Sequence, residues 1–415
     1  CMSLINWIGD RFPLSKVWNE HMAQYYVPKN FNVWYYFGAL SLVVLVLQIV
    51  TGIILTMHYK PDVDLAFASV EYIMRDVPAG WFVRYLHGVG ASMFFLVVYL
   101  HMFRAMLYGS HRKPRELIWL LGMVIYVALM AEAFFGYLLP WGNMSYWGAQ
   151  VIISLFGAIP LIGEPLAEWI RGDFVVSDAT LNRFFAFHVI LLPLLLALLV
   201  YLKIVALHKV GSNNPDGVEI KKNKDKDGNP VDGIPFHPYY TVKDTFGVAV
   251  FMTIFLGIVF FVPELGGWFL EKDNFAPADI LQTPPDIVPL WYLTPYYSIL
   301  RAVTFEWLPG GAKLWGVIAM GGAIVMFFFL PWLDRAKVRS IRYRGWMYKT
   351  ALTVFAVTFV MLGYLGTKNP GHIDLFLFKN VIWVQIGMVV YFAFFLLMPI
   401  YTRLDPTKAE PDRVG

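Results

Sequence analysis

Apolar residues run along this chain in eight blocks of roughly 20, at 34–56, 80–105, 115–138, 183–206, 245–265, 312–333, 347–366 and 376–400. Each block is long enough to cross a hydrocarbon core about 30 Å thick, so the pattern predicts an all-α membrane protein with eight transmembrane helices. The stretch before them, from Met2 to Gln24, carries charges throughout and lacks a long apolar core. It reads as a helix lying on the membrane surface, not as a cleavable signal.

Polar residues between the blocks set the orientation. One set of loops holds Arg104, Arg112, Lys113 and Arg115, then Lys209, Lys221, Lys222, Lys224 and Lys226, then Arg335, Lys337, Arg339, Arg342 and Arg344. The opposite set holds chiefly Lys60, Arg75, Arg171 and Lys272. Basic short loops stay in the cytoplasm, and an even number of spans puts both termini there. The long segments 139–182 and 266–311 then face the opposite, periplasmic side. Their Pro, Gly and Trp content predicts folded lids. The stretch 225–232, DKDGNPVD, resembles a calcium loop but lacks the closing Glu, and reads as a solvated turn.

Composition agrees with this picture, at 58% hydrophobic, 17% aromatic and 15% charged. The single Cys, at position 1, excludes an intramolecular disulfide and any cluster needing several thiolates. A net charge of +4 is too small to suggest a nucleic-acid partner.

Candidate chemistry lies inside the spans. His87 and His101 share the second span, 14 residues apart. That is about 21 Å along the axis and nearly four whole turns, so both imidazoles look the same way. His188 lies in the fourth span at the depth of His87, and two neutral imidazoles facing each other in apolar surroundings form a clamp for haem iron. Gly38 and Gly52 in the first span, and Gly122 and Gly136 in the third, repeat the spacing of 14. A helix can lie against a flat haem only where side chains vanish, and ordinary small-residue packing uses a spacing of four. Two stacked haem sites are therefore expected in a four-helix bundle. Arg84 and Arg104 each stand three residues from a His, placed to pair with propionates or to snorkel to the interface. The fourth span breaks the pattern. Fifteen residues after His188 stands Lys203, an offset that a turn distorted near Pro193 can absorb. Lys203 either ligates iron once deprotonated or reaches to the cytoplasmic interface.

These residues resemble the cytochrome b family of respiratory complex III, the ubiquinol–cytochrome c reductase. The likeness includes LQIVTGIILTMHY at 47–59, RYLHGVGASMFFLVVYLHMFR at 84–104, GYLLPWGNMSYWGAQV at 136–151, RFFAFH at 183–188, HKVGSNNP at 208–215 and FHPYYTVKD at 236–244. It covers nearly the whole chain, which is not split after the fourth span as the plastid relative is. The resemblance implies that His87 and His188 hold a low-potential haem b near the periplasm, and that His101 holds a high-potential haem b near the cytoplasm. It implies quinone-binding roles for His208, Ser212, Lys243, Asp244 and Gly148. In the loop before the sixth span the family typically carries Pro-Glu-Trp-Tyr. Here Pro289, Leu290, Trp291 and Tyr292 stand there, and Leu290 cannot accept a proton. Candidates for the missing acid are Glu132, inside the third span, and Asp286 or Glu306; Glu132 is otherwise structural.

The resulting organisation is an interfacial segment 1–33, a di-haem bundle 34–212, a cytoplasmic loop 213–244, a C-terminal four-helix quinol-site domain 245–403 and a cytoplasmic tail 404–415. The resemblance implies quinol oxidation at the periplasmic face and electron transfer through two haems to quinone at the cytoplasmic face, coupled to proton translocation. Implied partners are an iron–sulfur protein, a cytochrome c-type subunit, ubiquinol, ubiquinone and membrane lipid, in a dimeric complex. Two other classes compete. A di-haem anchor of another quinone-linked dehydrogenase would lack the quinone motifs. A transporter with intramembrane His would show inverted repeats with broken helices.

Overall fold

The computed structural model describes residues 4–307 and 309–415. Cys1 therefore lies outside the described residues. Among the described residues, seven helices are long and apolar enough to cross a membrane: Val33–Thr56, Gly80–Tyr108, Glu116–Leu138, Asp178–Val210, Phe236–Phe261, Gly311–Leu333 and Trp346–Gly366. An eighth is made by Asn380–Leu396 and Met398–Leu404, which meet at a bend of 58°. The straight block expected over 376–400 thus starts later and breaks, because Pro399 has no N–H to continue the ladder. The N-terminal stretch is likewise not one helix. Pro13 separates Leu4–Gly9 from Leu14–Trp18, and a wide turn follows over Asn19–Ala23.

The first span packs along the second and the third along the fourth, which builds the N-terminal bundle. Behind it, the helix Thr294–Ala302 is wrapped by the sixth, seventh and eighth spans. One apolar core runs through both halves, from Val44 and Phe95 to Tyr296, Phe355 and Phe395. A row of tyrosines ties the halves together. Tyr126 donates to Tyr296 at 2.9 Å, and the Tyr99 and Tyr126 hydroxyls are 3.1 Å apart. Buried hydroxyls need such partners, since no water reaches them.

The two ends of the bundle are built differently. At one end lie the N-terminal segment, the loop 211–235, the loop 334–345 and the C-terminal tail. The strands Tyr26–Pro28 and Gly233–Pro235 pair there, and Arg413 binds Asp232 at 2.7 Å. Ion pairs hold this end: Arg115 grips Glu219 with bonds of 2.7 and 2.9 Å, and Arg339 adds a third at 2.7 Å. Asp334 takes His111 at 2.9 Å and Arg344 Nη1 at 3.1 Å. Burial alone would raise the Asp334 carboxyl, but Arg344 and His111 outweigh it and hold it well below the usual carboxylate range. In the loop 225–232, the Asp225 carboxylate accepts from the backbone of Asp227 at 3.0 Å and Asn229 at 2.8 Å, which makes it a turn.

At the opposite end the segments 139–177 and 262–310 are zipped together by backbone bonds. Asn143 N–H donates to Ala276 and Ala278 N–H to Trp141, each at 2.9 Å. These are folded lids, as their composition predicts. The helix Asn143–Phe156 lies between the zip and the third span.

Candidate functional site

At the lid end of the N-terminal bundle, His87 and His188 face each other with ring centres 6.0 Å apart and planes at 88°. Two metal–nitrogen bonds of about 2 Å each fit within that separation. Both rings are held from behind. His87 Nδ1 is 3.0 Å from Thr51 Oγ1, and His188 Nδ1 lies 2.9 Å from the Glu132 carbonyl and 3.1 Å from its carboxylate Oε1. Those contacts leave Nε2 of each ring for iron. A Cβ at Gly52 would stand 3.2 Å from His87 Cε1, and one at Gly136 would overlap the His188 ring. The glycines therefore face the rings, where a flat group bound between them needs open helix surface.

The second cradle repeats this geometry nearer the termini. A Cβ at Gly38 would stand 3.2 Å from His101 Cε1, and one at Gly122 would stand 2.9 Å from Lys203 Nζ. Lys203 is thus on the face of the fourth span that carries His188. The helix absorbs the fifteenth residue in a widened turn, Phe187–Leu191, directly before Pro193. His101 Nδ1 is buried without a hydrogen-bond partner, so no side chain behind this ring fixes its orientation. Neither Arg84 nor Arg104 has a carboxylate partner among the described residues. Arg104 makes one bond of 3.2 Å to Ser110 and lies 4.6 Å over the Tyr35 ring. Two guanidiniums so placed suit the acidic edge of a haem, and the residues fit haem at both depths.

The segment before the sixth span is wedged against the second span. Trp291 Nε1 donates to Ser92 at 3.0 Å, and the buried Tyr292 ring stacks on Phe95 with centres 3.9 Å apart. Pro289 and Leu290 sit on the same wall, half-buried. Gly148, on the lid helix, opens toward Tyr137, with its Cβ position 3.7 Å from the ring. Of the carboxylates weighed for the missing acid, Glu132 is engaged with His188, and Asp286 and Glu306 are exposed. A fourth carboxylate escapes sequence reasoning. Glu271, from the opposite lid, accepts a 2.8 Å hydrogen bond from Tyr137. Tyr137 lies in the quoted motif at 136–151; nothing in the sequence joins it to position 271.

At the termini end, His208 meets residues that the spacing did not single out. Its Nδ1 is 3.1 Å from His21 Nδ1, and its ring packs 4.5 Å from Tyr25. Ser212 follows the end of the same helix beside Tyr25. Lys243 and Asp244 lie in the first turn of the regular helix of the fifth span, Thr241–Phe261. Lys243 is exposed and lies 4.9 Å over Tyr240, and Asp244 is half-buried. The strand pair brings this turn and the N-terminal segment together, with Trp18 and His237 rings 5.2 Å apart.

The fold and its two cradles define a multi-pass membrane protein with glycine-lined slots between facing side chains, each fit for a flat group. Comparison with known proteins narrows the class. The family model for cytochrome b/b6/petB matches residues 22–211, and that for cytochrome b(C-terminal)/b6/petD matches residues 277–392. The cytochrome b of Allochromatium vinosum is 59% identical over 99% of this chain and 98% of its own length. That of Rickettsia prowazekii is 48% identical over 98% and 96%. A chain of a solved hyperthermophilic respiratory complex III matches with a TM-score of 0.87 at 35% identity, covering 97% of this chain and 99% of that one. The chain belongs to the cytochrome b family and is a subunit of ubiquinol–cytochrome c reductase, complex III. Its work is quinol-linked electron transfer in a respiratory membrane, and the family implies b-type haem.

Proposed function

We propose that this chain holds two b haems, oxidises ubiquinol at its lid end, and delivers one of the two electrons to quinone at the end carrying the termini. The observation that carries the reading is a cradle built twice, with four glycines each facing one of four ligand residues. His87 and His188 would hold the low-potential haem. His101, with Lys203 opposite, would hold the high-potential one, and Arg84 and Arg104 would meet the propionates. Bound there, haem supplies reversible one-electron chemistry that side chains lack.

The chain's own residues position and partition. Thr51 and Glu132 orient the lid-end imidazoles through Nδ1. Trp291 and Tyr292, pinned by Ser92 and Phe95, form with Pro289 and Gly148 the wall against which quinol binds. At the other end His208 and Ser212 bind quinone, and Lys243 and Asp244, at the mouth of the fifth span, draw protons from the cytoplasm. Protons are then released on one side and taken up on the other. The charge moved across stores about 2.3 kcal/mol per charge per 100 mV.

The basic loops put the termini in the cytoplasm and the lids in the periplasm of a bacterial inner membrane. The second electron leaves to an iron–sulfur protein docked on the lids, since one Cys cannot build a thiolate cluster here. A cytochrome c-type subunit completes a complex that works as a dimer. The reading is tested by pyridine haemochrome quantification per chain, with an expected count of two. A count of one or none overturns it. Topology is tested separately: labelling of residues 221–226 from the periplasm would invert it.

A further inference from the structure

Quinol oxidation needs a proton acceptor at the lid end, and position 290 holds Leu. We propose that Glu271, held by the Tyr137 hydroxyl, is that acceptor. The proposal rests on the quinol-oxidising role given above and adds a residue to it.

Four observations support it. Glu271 Oε2 accepts from Tyr137 at 2.8 Å, which aims the carboxylate at the junction of the third span and the lid helix. The loop carrying it is immobilised on the quinol wall. Phe269 stacks on Trp291 with centres 6.3 Å apart, and Asn274 Oδ1 accepts from the Ser145 backbone at 2.8 Å. No Lys, Arg or His pairs with Glu271 among the described residues, so no cation holds it permanently ionised. Burial raises its carboxyl to about 7, with the Tyr137 bond opposing and Asp273 assisting. A carboxyl that is half-ionised near neutrality can both take and release a proton. The groups facing it are Tyr137, Asp273 and Tyr292, and none is a cation.

In the step, ubiquinol gives up two electrons and two O–H protons and becomes ubiquinone. The electrons leave to the one-electron iron–sulfur partner and to the haem site at the lid end. Both protons end in periplasmic water. One of them first bonds to a Glu271 carboxylate oxygen as its quinol O–H bond breaks, and is released when Tyr137 reclaims its hydrogen bond to the carboxylate.

The test uses the purified complex III with Glu271→Gln, assayed for quinol–cytochrome c turnover between pH 5.5 and 9 and for haem content by spectrum. The ionised form is the acceptor, so parental turnover should rise with pH through about 7. In Glu271→Gln that rise should vanish and turnover should fall about 100-fold, the low end for a lost acid–base group. Haem content should be unchanged. Should that variant fail to assemble, Tyr137→Phe decides. It removes a bond that favours the carboxylate, so the rise should move to higher pH. Asp286→Asn should keep the parental profile. Parental turnover and pH profile in Glu271→Gln, or an unmoved profile in Tyr137→Phe, overturns the role of Glu271 alone. An inactive parental complex that contains both haems instead overturns the quinol-oxidising reading.

Discussion

The lid-end cradle and the cradle nearer the termini share one plan and differ in one layer. In each, one glycine from the first span and one from the third face the ligand residues, and each stands 14 residues along its helix from its counterpart in the other cradle. At the lid end each imidazole also has a partner behind it, Thr51 for His87 and Glu132 for His188. In the other cradle His101 Nδ1 has none, and an amine stands where a second imidazole would complete the set. The slot is a product of helix period and repeats itself whenever glycine recurs in phase. Ligand orientation has to be supplied residue by residue by side chains from other turns, and can differ between two otherwise equal slots.

Removing a ligand should have the largest effect. His188→Ala is expected to lose the lid-end haem outright, halving the haemochrome count and deleting the low-potential component of a redox titration. An unchanged titration would take His188 out of the ligand set. Next comes the slot itself. Gly136→Ala puts a methyl into the His188 ring, where backbone and ring are both held, so occupancy of that site should fall severalfold. Gly122→Ala meets the end of the flexible Lys203 chain in place of a fixed ring, so occupancy of the second site should fall less. Equal losses in the two variants would mean that the Lys203 chain is held as firmly as the His188 ring.

Lys203→His should make the two cradles alike. We expect two ordinary low-spin bis-His signals in place of the parental pair, with faster reduction at the cytoplasmic quinone site. Identical spectra of parent and variant would show that residue 203 stands away from iron. The smallest effect is expected from Glu132→Gln. The Glu132 carbonyl still accepts from His188, so the haem should stay. Exchange of a carboxyl for an amide beside the ligand should move that haem's midpoint by no more than about 60 mV, tenfold for one electron. A collapse of turnover with unchanged midpoint would instead make Glu132 a proton carrier for quinol.

Much of this molecule is legible in its sequence, and the legible part is local and periodic. Seven of the eight apolar blocks appear as single spans, and the phase of Gly38, Gly52, Gly122 and Gly136 against His87, His101 and His188 survives folding because a helix turns by a constant angle. Even the fifteen-residue step to Lys203 follows from Pro193, since proline acts on its own turn. The same local rule applied too coarsely misses the breaks at Pro13 and Pro399. What only the tertiary structure decides is which polar groups meet across elements. Tyr137 and Glu271 are 134 residues apart, His21 and His208 are 187 apart, and Thr51 and His87 sit on different helices. Their meeting depends on how helices rotate and slide against each other and on how two lids zip. Those degrees of freedom are set by the packing of the entire core, so no spacing along the chain records them.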